Sequence, residues 1–479
     1  MAWLGALLAS VSCGPNTRLA RYERALDTDS RIKFDFHRIV DDPGGIGLRF
    51  PGLVLGFEKA RAKVIQNEAE REAGCYTRVD LSRTRGARPE LAKKKLESVL
   101  TGKCIFLSHL IEYRYSPELA VVDHHFHYNL YAALSRAPST LSEAEVQENL
   151  ESAYGQSWAA LDHVGENLEE GAKHATHIVL YTMGWYSGQT EALRNVNSLH
   201  LALKRAYAAA YPDQEFRPYP VVVTWPSHWR VAEKLGLSYR NKANDADELG
   251  AVAMNALINQ QLLPFATKHG IRTIAIGHSF GTRAISRGLF SGDILVRGAA
   301  KQKWDLFVGL QGAFSVNRFV DWDDAEEGSP YYFYRERVRN IVLTWSRADD
   351  ANPIAFWSRH AGGEKGHKYA AKYEDEVGKN GKPVFRLREV KTGQASAIEF
   401  SADSPLIDYL DASSFIRYGN YGKGGGAHND VYTEDVGMLL ANAVHSCAAA
   451  PARAVSPTPA PAPLPPANAA GIPVATSDR

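Results

Sequence analysis

Residues 271–287 read IRTIAIGHSFGTRAISR. The short apolar run from Thr273 to Ile276 has the composition of a buried strand. It leads into Gly277-His278-Ser279-Phe280-Gly281 and then into a segment with helical spacing. Strand, G-x-S-x-G, helix is the order of a nucleophile elbow, a sharp turn that lifts a serine hydroxyl above a sheet. The glycines are needed because side chains in so tight a turn would meet the neighbouring strand and helix. In that setting Ser279 attacks a carbonyl carbon, and the chain is expected to be a hydrolase or acyltransferase. A glycine-rich turn with an incidental serine is the plain alternative, so the flanking sequence has to decide.

Outward from this stretch, short apolar runs alternate with helical patterns between residues 158 and 447, as in a parallel sheet with crossover helices. His177 to Thr182 (HIVLYT) and Pro220 to Trp225 (PVVVTW) are continuous and apolar, as interior parallel strands are. Leu306 to Leu310 and Asn340 to Trp345 are two more strands, and a last one is expected within Ala397 to Leu410. Asn244 to Lys268 has a helical pattern, with Asn244 as N-cap and Asp247 and Glu248 in the first turn. Thr433 caps a closing helix with Val436, Leu439, Leu440 and Ala443 on one apolar face. Residues 16–153 mix charged helical stretches with Gly/Pro/Arg-rich ones and read as a mainly helical or irregular extension of unknown role. Residues 448–479 are rich in Ala and Pro and are expected to be a disordered tail.

The composition bounds the function. The chain has 479 residues, 45% hydrophobic and 23% charged, which suits a large buried core. A net charge of +1 argues against nucleic acid as a partner. No apolar run reaches the ~18 residues of a transmembrane helix. Residues 1–15 resemble a signal segment, and a small residue before Cys13 resembles a lipoprotein cleavage site, which implies a lipidated, secreted or envelope protein. No Lys or Arg precedes the apolar stretch, and Ser10 stands where leucine is usual, so a cytoplasmic protein is the alternative. Cys75 and Cys104 could pair, leaving Cys447, or the three are isolated thiols; there is no C-x-x-C.

The ordering of elements resembles the α/β-hydrolase superfamily over roughly the last three fifths of the chain. Three segments are similar to bacterial serine hydrolases of unassigned substrate: THIVLYTMGW, the VVVTWPS strand end with Tyr239 and the run Lys242 to Asp247, and GHSFGTRAIS. The resemblance implies an α/β-hydrolase fold with a mostly parallel central sheet, and a triad in the chain order Ser, acid, His. It implies Asp349 as the acid, in the loop after the strand Asn340 to Trp345, with Asp350 close behind and Asp321, Asp323 and Asp324 as outside candidates. Four histidines follow Asp349. His428, beyond the glycine-rich residues 422–426 and before the closing helix, stands where the superfamily places its base, rather than His360, His367 or His445. The oxyanion donors are expected to be the backbone N–H groups of Phe280 and Trp185, although Met183-Gly184 replaces the usual His-Gly there.

The expected reaction is cleavage of a carboxylic ester of a small molecule or lipid through an acyl-enzyme, with no cofactor. An acyltransferase with the same triad, or a non-catalytic binding module on the same scaffold, are the alternatives. In Asp123-His124-His125-Phe126-His127 the H-x-H would share a strand face, but no full metal ligand set is recognisable. Arg283 and Arg287, spaced i,i+4, could meet an acidic substrate, with surface or loop pairing the plainer reading. His278 is either structural or pocket-lining, and Trp185, Trp225 and Trp229 either line an acyl pocket or belong to the core.

Overall fold

The structure, a computed structural model, describes residues 47–59, 105–117, 121–129, 156–185, 187–225, 227, 239–290, 302–320, 322, 331, 334–349, 351, 359–378, 381, 383–393, 398, 400, 407–417 and 426–449. Residues 1–15 with Cys13, the pair Cys75 and Cys104, Trp229, Asp321, Asp323, Asp324, Asp350 and residues 450–479 lie outside the described residues.

In the amino-terminal third the described elements are strands: β1 (Gly52–Lys59), β2 (Ile105–Ser116) and β3 (Val121–Asn129). Within 16–153, where a mainly helical or irregular extension is expected, the described elements are these strands, and the rest of that range lies outside the described residues. Leu53, Val54, Leu55 and Phe57 of β1 are fully buried, so both faces of this strand are covered and it cannot stand apart. A short helix α1 (Val164–Gly171) leads to β4 (His177–Thr182), followed by α2 (Gln189–Ala210) and β5 (Pro218–Thr224). Next come α3 (Tyr239–Leu249), two π-helical turns at Gly250–Met254 and Leu257–Leu262, α4 (Leu263–His269), β6 (Arg272–His278) and α5 (Phe280–Phe290). The carboxyl-terminal part supplies β7 (Trp304–Leu310), β8 (Val338–Trp345), α6 (Glu364–Tyr373), β9 (Phe385–Glu389), β10 (Ile407–Asp411) and α7 (Glu434–Ala449).

The ten strands make one sheet in the order β3-β2-β1-β5-β4-β6-β7-β8-β10-β9. From β1 to β9 every neighbouring pair is parallel, whereas β2 is antiparallel to both β1 and β3. The fold is therefore α/β with a mostly parallel sheet, and the sheet crosses the expected boundary near residues 153–158. Helices α2 and α7 pack together, and α5 packs on α3 and the π-turn after it. Right-handed crossovers put these two pairs on opposite faces. Thr433 caps α7 as expected, its Oγ1 accepting the N–H of Val436 at 3.4 Å, and Val436, Leu439, Leu440 and Ala443 are buried. The helix ends at Ala449, two residues into the expected tail.

Two expectations fail in α3. The helix begins at Tyr239, so Asn244 is an interior residue and not the N-cap. Asp247 lies near the end of the helix rather than in its first turn and is buried under α5, where three arginines converge on it. Arg283 donates through Nε and Nη2 to Oδ2 at 2.9 and 2.6 Å. Arg287 Nε reaches Oδ1 at 3.3 Å, and Arg318 donates to both oxygens at 2.8 and 3.0 Å. Arg283 and Arg287 therefore neither meet a substrate nor lie on the surface, because α5 is covered by α3 on the side away from the sheet. Burial alone would raise the Asp247 carboxyl; Arg283, Arg318 and Arg287 together hold it well below the usual carboxylate range.

Candidate active site

The chain leaves β4 for β5 on one side and later returns to β6 on the other, which makes the carboxyl ends of β4 and β6 a topological switch point. Open parallel sheets present their ligand crevice there. Ser279 follows the last residue of β6, at 6% exposure. Its φ is 55°, and among the described residues only Ser279 and Gln311 are non-glycine residues with positive φ. Such strain costs roughly 1–3 kcal/mol and persists only where surrounding bonds enforce it. Here the Ser279 N–H donates to Leu310 O at 3.0 Å, and Ser279 O accepts from Thr282 N and Ala313 N, each at 3.1 Å. The elbow glycines have no room for side chains: a Cβ on Gly281 would lie 2.0 Å from Thr182 O, and one on Gly277 2.4 Å from Thr282 Cα.

The loops after β4 and β5 close on this turn. Gly184 lies against the serine, and a Cβ there would stand 2.8 Å from Ser279 Cβ. Trp225 and Ser227 brace the same loop. Trp225 Nε1 donates to Met183 O at 3.0 Å, and Ser227 Oγ donates to Ser187 O at 2.7 Å while accepting the Ser187 N–H at 3.1 Å. Trp225 is thus a core residue, 1% exposed, rather than a pocket wall. Trp185 sits beside Phe280, with ring centroids 6.2 Å apart.

Asp349 lies just beyond β8, its N–H bonded to Ser346 O at 3.2 Å. It is 4% exposed and surrounded by donors. His428 Nδ1 donates to Oδ2 at 2.9 Å, Gln311 Nε2 to the same oxygen at 2.8 Å, and Ala351 N–H to Oδ1 at 3.0 Å. His428 belongs to a 3-10 turn, Gly426–Asn429, a few residues before α7. With Nδ1 committed to Asp349, Nε2 is the ring atom left to take up a proton. The structure thus joins Asp349 to His428 and sets His428 beside the elbow, its ring centroid 4.8 Å from that of His278. No hydrogen bond joins Ser279 Oγ to His428 among the described residues.

The other histidines are engaged elsewhere. His360 forms a β-bridge with Ser315, His367 stacks on Trp345 at 4.2 Å, and His445 stacks on Tyr211 at 3.6 Å. On β3, His127 Nε2 is bonded to the buried Glu112 at 2.7 Å. Among the described residues no group of three His, Cys, Asp or Glu could hold a metal ion, and no helix is long and apolar enough to cross a membrane. Two site residues escaped the sequence reading. Gln311 bonds Asp349 from the end of β7, and only its positive φ, invisible in sequence, marks it. Tyr432, which bonds His278 Nδ1 at 3.0 Å, comes from 154 residues further along the chain. No protein-family model matches the chain, and no curated protein matches it.

Proposed function

We propose that the protein is a serine hydrolase of the α/β-hydrolase type that cleaves a carboxylic ester, with Ser279 as nucleophile, His428 as base and Asp349 as the acid orienting the base. The observation that carries this reading is the buried Asp349–His428 hydrogen bond of 2.9 Å, delivered beside a serine held at φ 55°. The three residues follow the chain order of the superfamily, and each sits at the carboxyl end of its strand or in the loop beyond it.

In this mechanism Ser279 Oγ attacks the ester carbonyl carbon while His428 Nε2 takes its proton. The C–O bond to the alcohol then breaks as His428 returns the proton to the leaving oxygen. Water attacks the acyl carbon as His428 takes its proton, and the acyl–Oγ bond then breaks as His428 returns that proton to Ser279 Oγ, releasing the acid and the free serine. Asp349 holds the imidazole in the Nδ1–H tautomer and stabilises the imidazolium. The backbone N–H groups of Phe280 and Trp185 are the proposed oxyanion donors, each worth about 3–4 kcal/mol in enzymes where one has been removed. The missing Ser279–His428 bond is compatible with this scheme, since such contacts often tighten only in the substrate complex.

A fluorophosphonate probe tests the proposal. The parent is expected to be labelled on Ser279 and Ser279→Ala to stay unlabelled; an unlabelled parent would sink the reading. Gly184→Ala tests the β4 loop independently. Its methyl would push that loop off Ser279, and turnover of a p-nitrophenyl ester is expected to fall about 10²-fold, the scale of an ångström of misplacement. Unchanged turnover would remove the loop from the site.

A further inference from the structure

His278 precedes the serine in the chain, is 3% exposed, and carries a hydrogen-bond chain that the scheme above does not use. Its Nε2 lies 3.0 Å from the backbone carbonyl oxygen of His428. A carbonyl only accepts, so Nε2 carries the proton and Nδ1 is the acceptor. Nδ1 is met at 3.0 Å by the hydroxyl of Tyr432, which must donate its one proton there. The Tyr181 hydroxyl, 3.0 Å from that of Tyr432, is then the donor to it. Direction is thus fixed along the whole chain: Tyr181 to Tyr432 to His278 to the peptide of His428.

Its elements explain what the chain can do. Tyr181 stands on β4, His278 ends β6, and Tyr432 lies between the His428 turn and α7. The turn at Gly426–Asn429 is only four residues long. The bond from His278 ties its peptide to the sheet, one residue away from Ser279.

We propose that His278 is a positioning residue for His428: as a neutral Nε2–H imidazole held by Tyr432, it fixes the backbone from which His428 reaches Asp349. The assignment of His428 as base rests on the triad reading; the anchoring of the His428–Asp349 bond does not. Burial, reinforced by His428, pushes the His278 pKa down to about 3, so the ring stays neutral throughout the neutral range and its two hydrogen bonds set the tautomer. A protonated His278 would lose the acceptor that Tyr432 needs.

The experiment compares His278→Phe, which keeps a ring but neither bond, with His278→Gln, whose amide offers both N–H donors and an acceptor oxygen. In His278→Phe, kcat for a p-nitrophenyl ester is expected to fall about tenfold to a hundredfold with KM within about twofold. His278→Gln should recover most of that loss. Tyr432→Phe, a milder change, should lower kcat about fivefold, the effect of one lost neutral hydrogen bond. The second readout needs no activity. The low-field proton of the His428 Nδ1–H···Asp349 bond, assigned by its absence in His428→Ala, should broaden or vanish in His278→Phe and return in His278→Gln. If His278→Phe keeps both its kcat and a sharp low-field proton, the positioning role is overturned. If the proton responds as expected in a protein that turns over no ester, the anchoring stands and the triad reading falls.

Discussion

Ser279→Ala is expected to lower kcat on a p-nitrophenyl ester by about 10⁵- to 10⁶-fold, and His428→Ala by a similar factor. The double variant should lose no more than either single one. Residues of a triad act as a unit: without the serine no acyl-enzyme forms, and without the base the serine hydroxyl is too weak a nucleophile. Asp349→Asn is expected to cost about 10⁴-fold, because the amide would favour the wrong tautomer of His428. The residual rate should reflect binding and oxyanion donors alone. Steady-state kinetics on purified, folded variants measure all of this. A His428→Ala protein with near-parental kcat would show the base assignment to be wrong. Equal, low rates in the parent and all variants would favour a binding module on the same scaffold.

The second large effect is on stability. Asp247→Ala is expected to reduce the free energy of unfolding by about 3–5 kcal/mol, the range found when one partner of a buried ion pair is removed. Arg283, Arg287 and Arg318 are each 4% exposed or less at the side chain and would lose their shared carboxylate. Asp247→Asn should recover only part of the loss, since it restores shape but not charge. Urea titration monitored by circular dichroism gives the number, and a loss under about 1 kcal/mol would mean that the arginines are satisfied without Asp247. The pH dependence follows from the direction of the shift. The folded-state pKa lies below the unfolded value of about 3.9. Below that value the unfolded chain binds a proton that the folded chain refuses, so stability falls as pH falls. The contribution should be fully present above about pH 5 and decline below pH 4 in the parent, and be absent from Asp247→Ala.

The parts of the fold legible in sequence are those whose signal is local. HIVLYT, PVVVTW, LFVGL and NIVLTW are continuous apolar runs, which a strand buried on both faces requires, and the structure places strands on all four. β1 was equally apolar, but its flanks, DDPGGIGLRFPG and the charged residues after Phe57, read as loop and helix. β3 and β9 carry histidines or arginines because they are the edges of the sheet, where one side needs no apolar cover. Asp349 and His428, which the structure joins by a hydrogen bond, were reachable because the superfamily's chain order and strand ends restrict the choice to a few residues. Gln311, Tyr432 and the arginine cluster on Asp247 were not. Each is a bond between residues far apart in sequence, and neither composition nor periodicity carries that information.

β1 has a consequence for how the molecule is made. Its Leu55 carbonyl is met by Thr224, 169 residues later in the chain, and no earlier described strand can pair with that edge in parallel. Among the described strands, β1, β2 and β3 emerge before β5 and can form an antiparallel ribbon, leaving the parallel edge of β1 open until β5 arrives. Non-local pairing of this kind folds slowly and exposes an apolar edge meanwhile. The time for which that edge must be kept from other chains is set by how soon β5 follows β1.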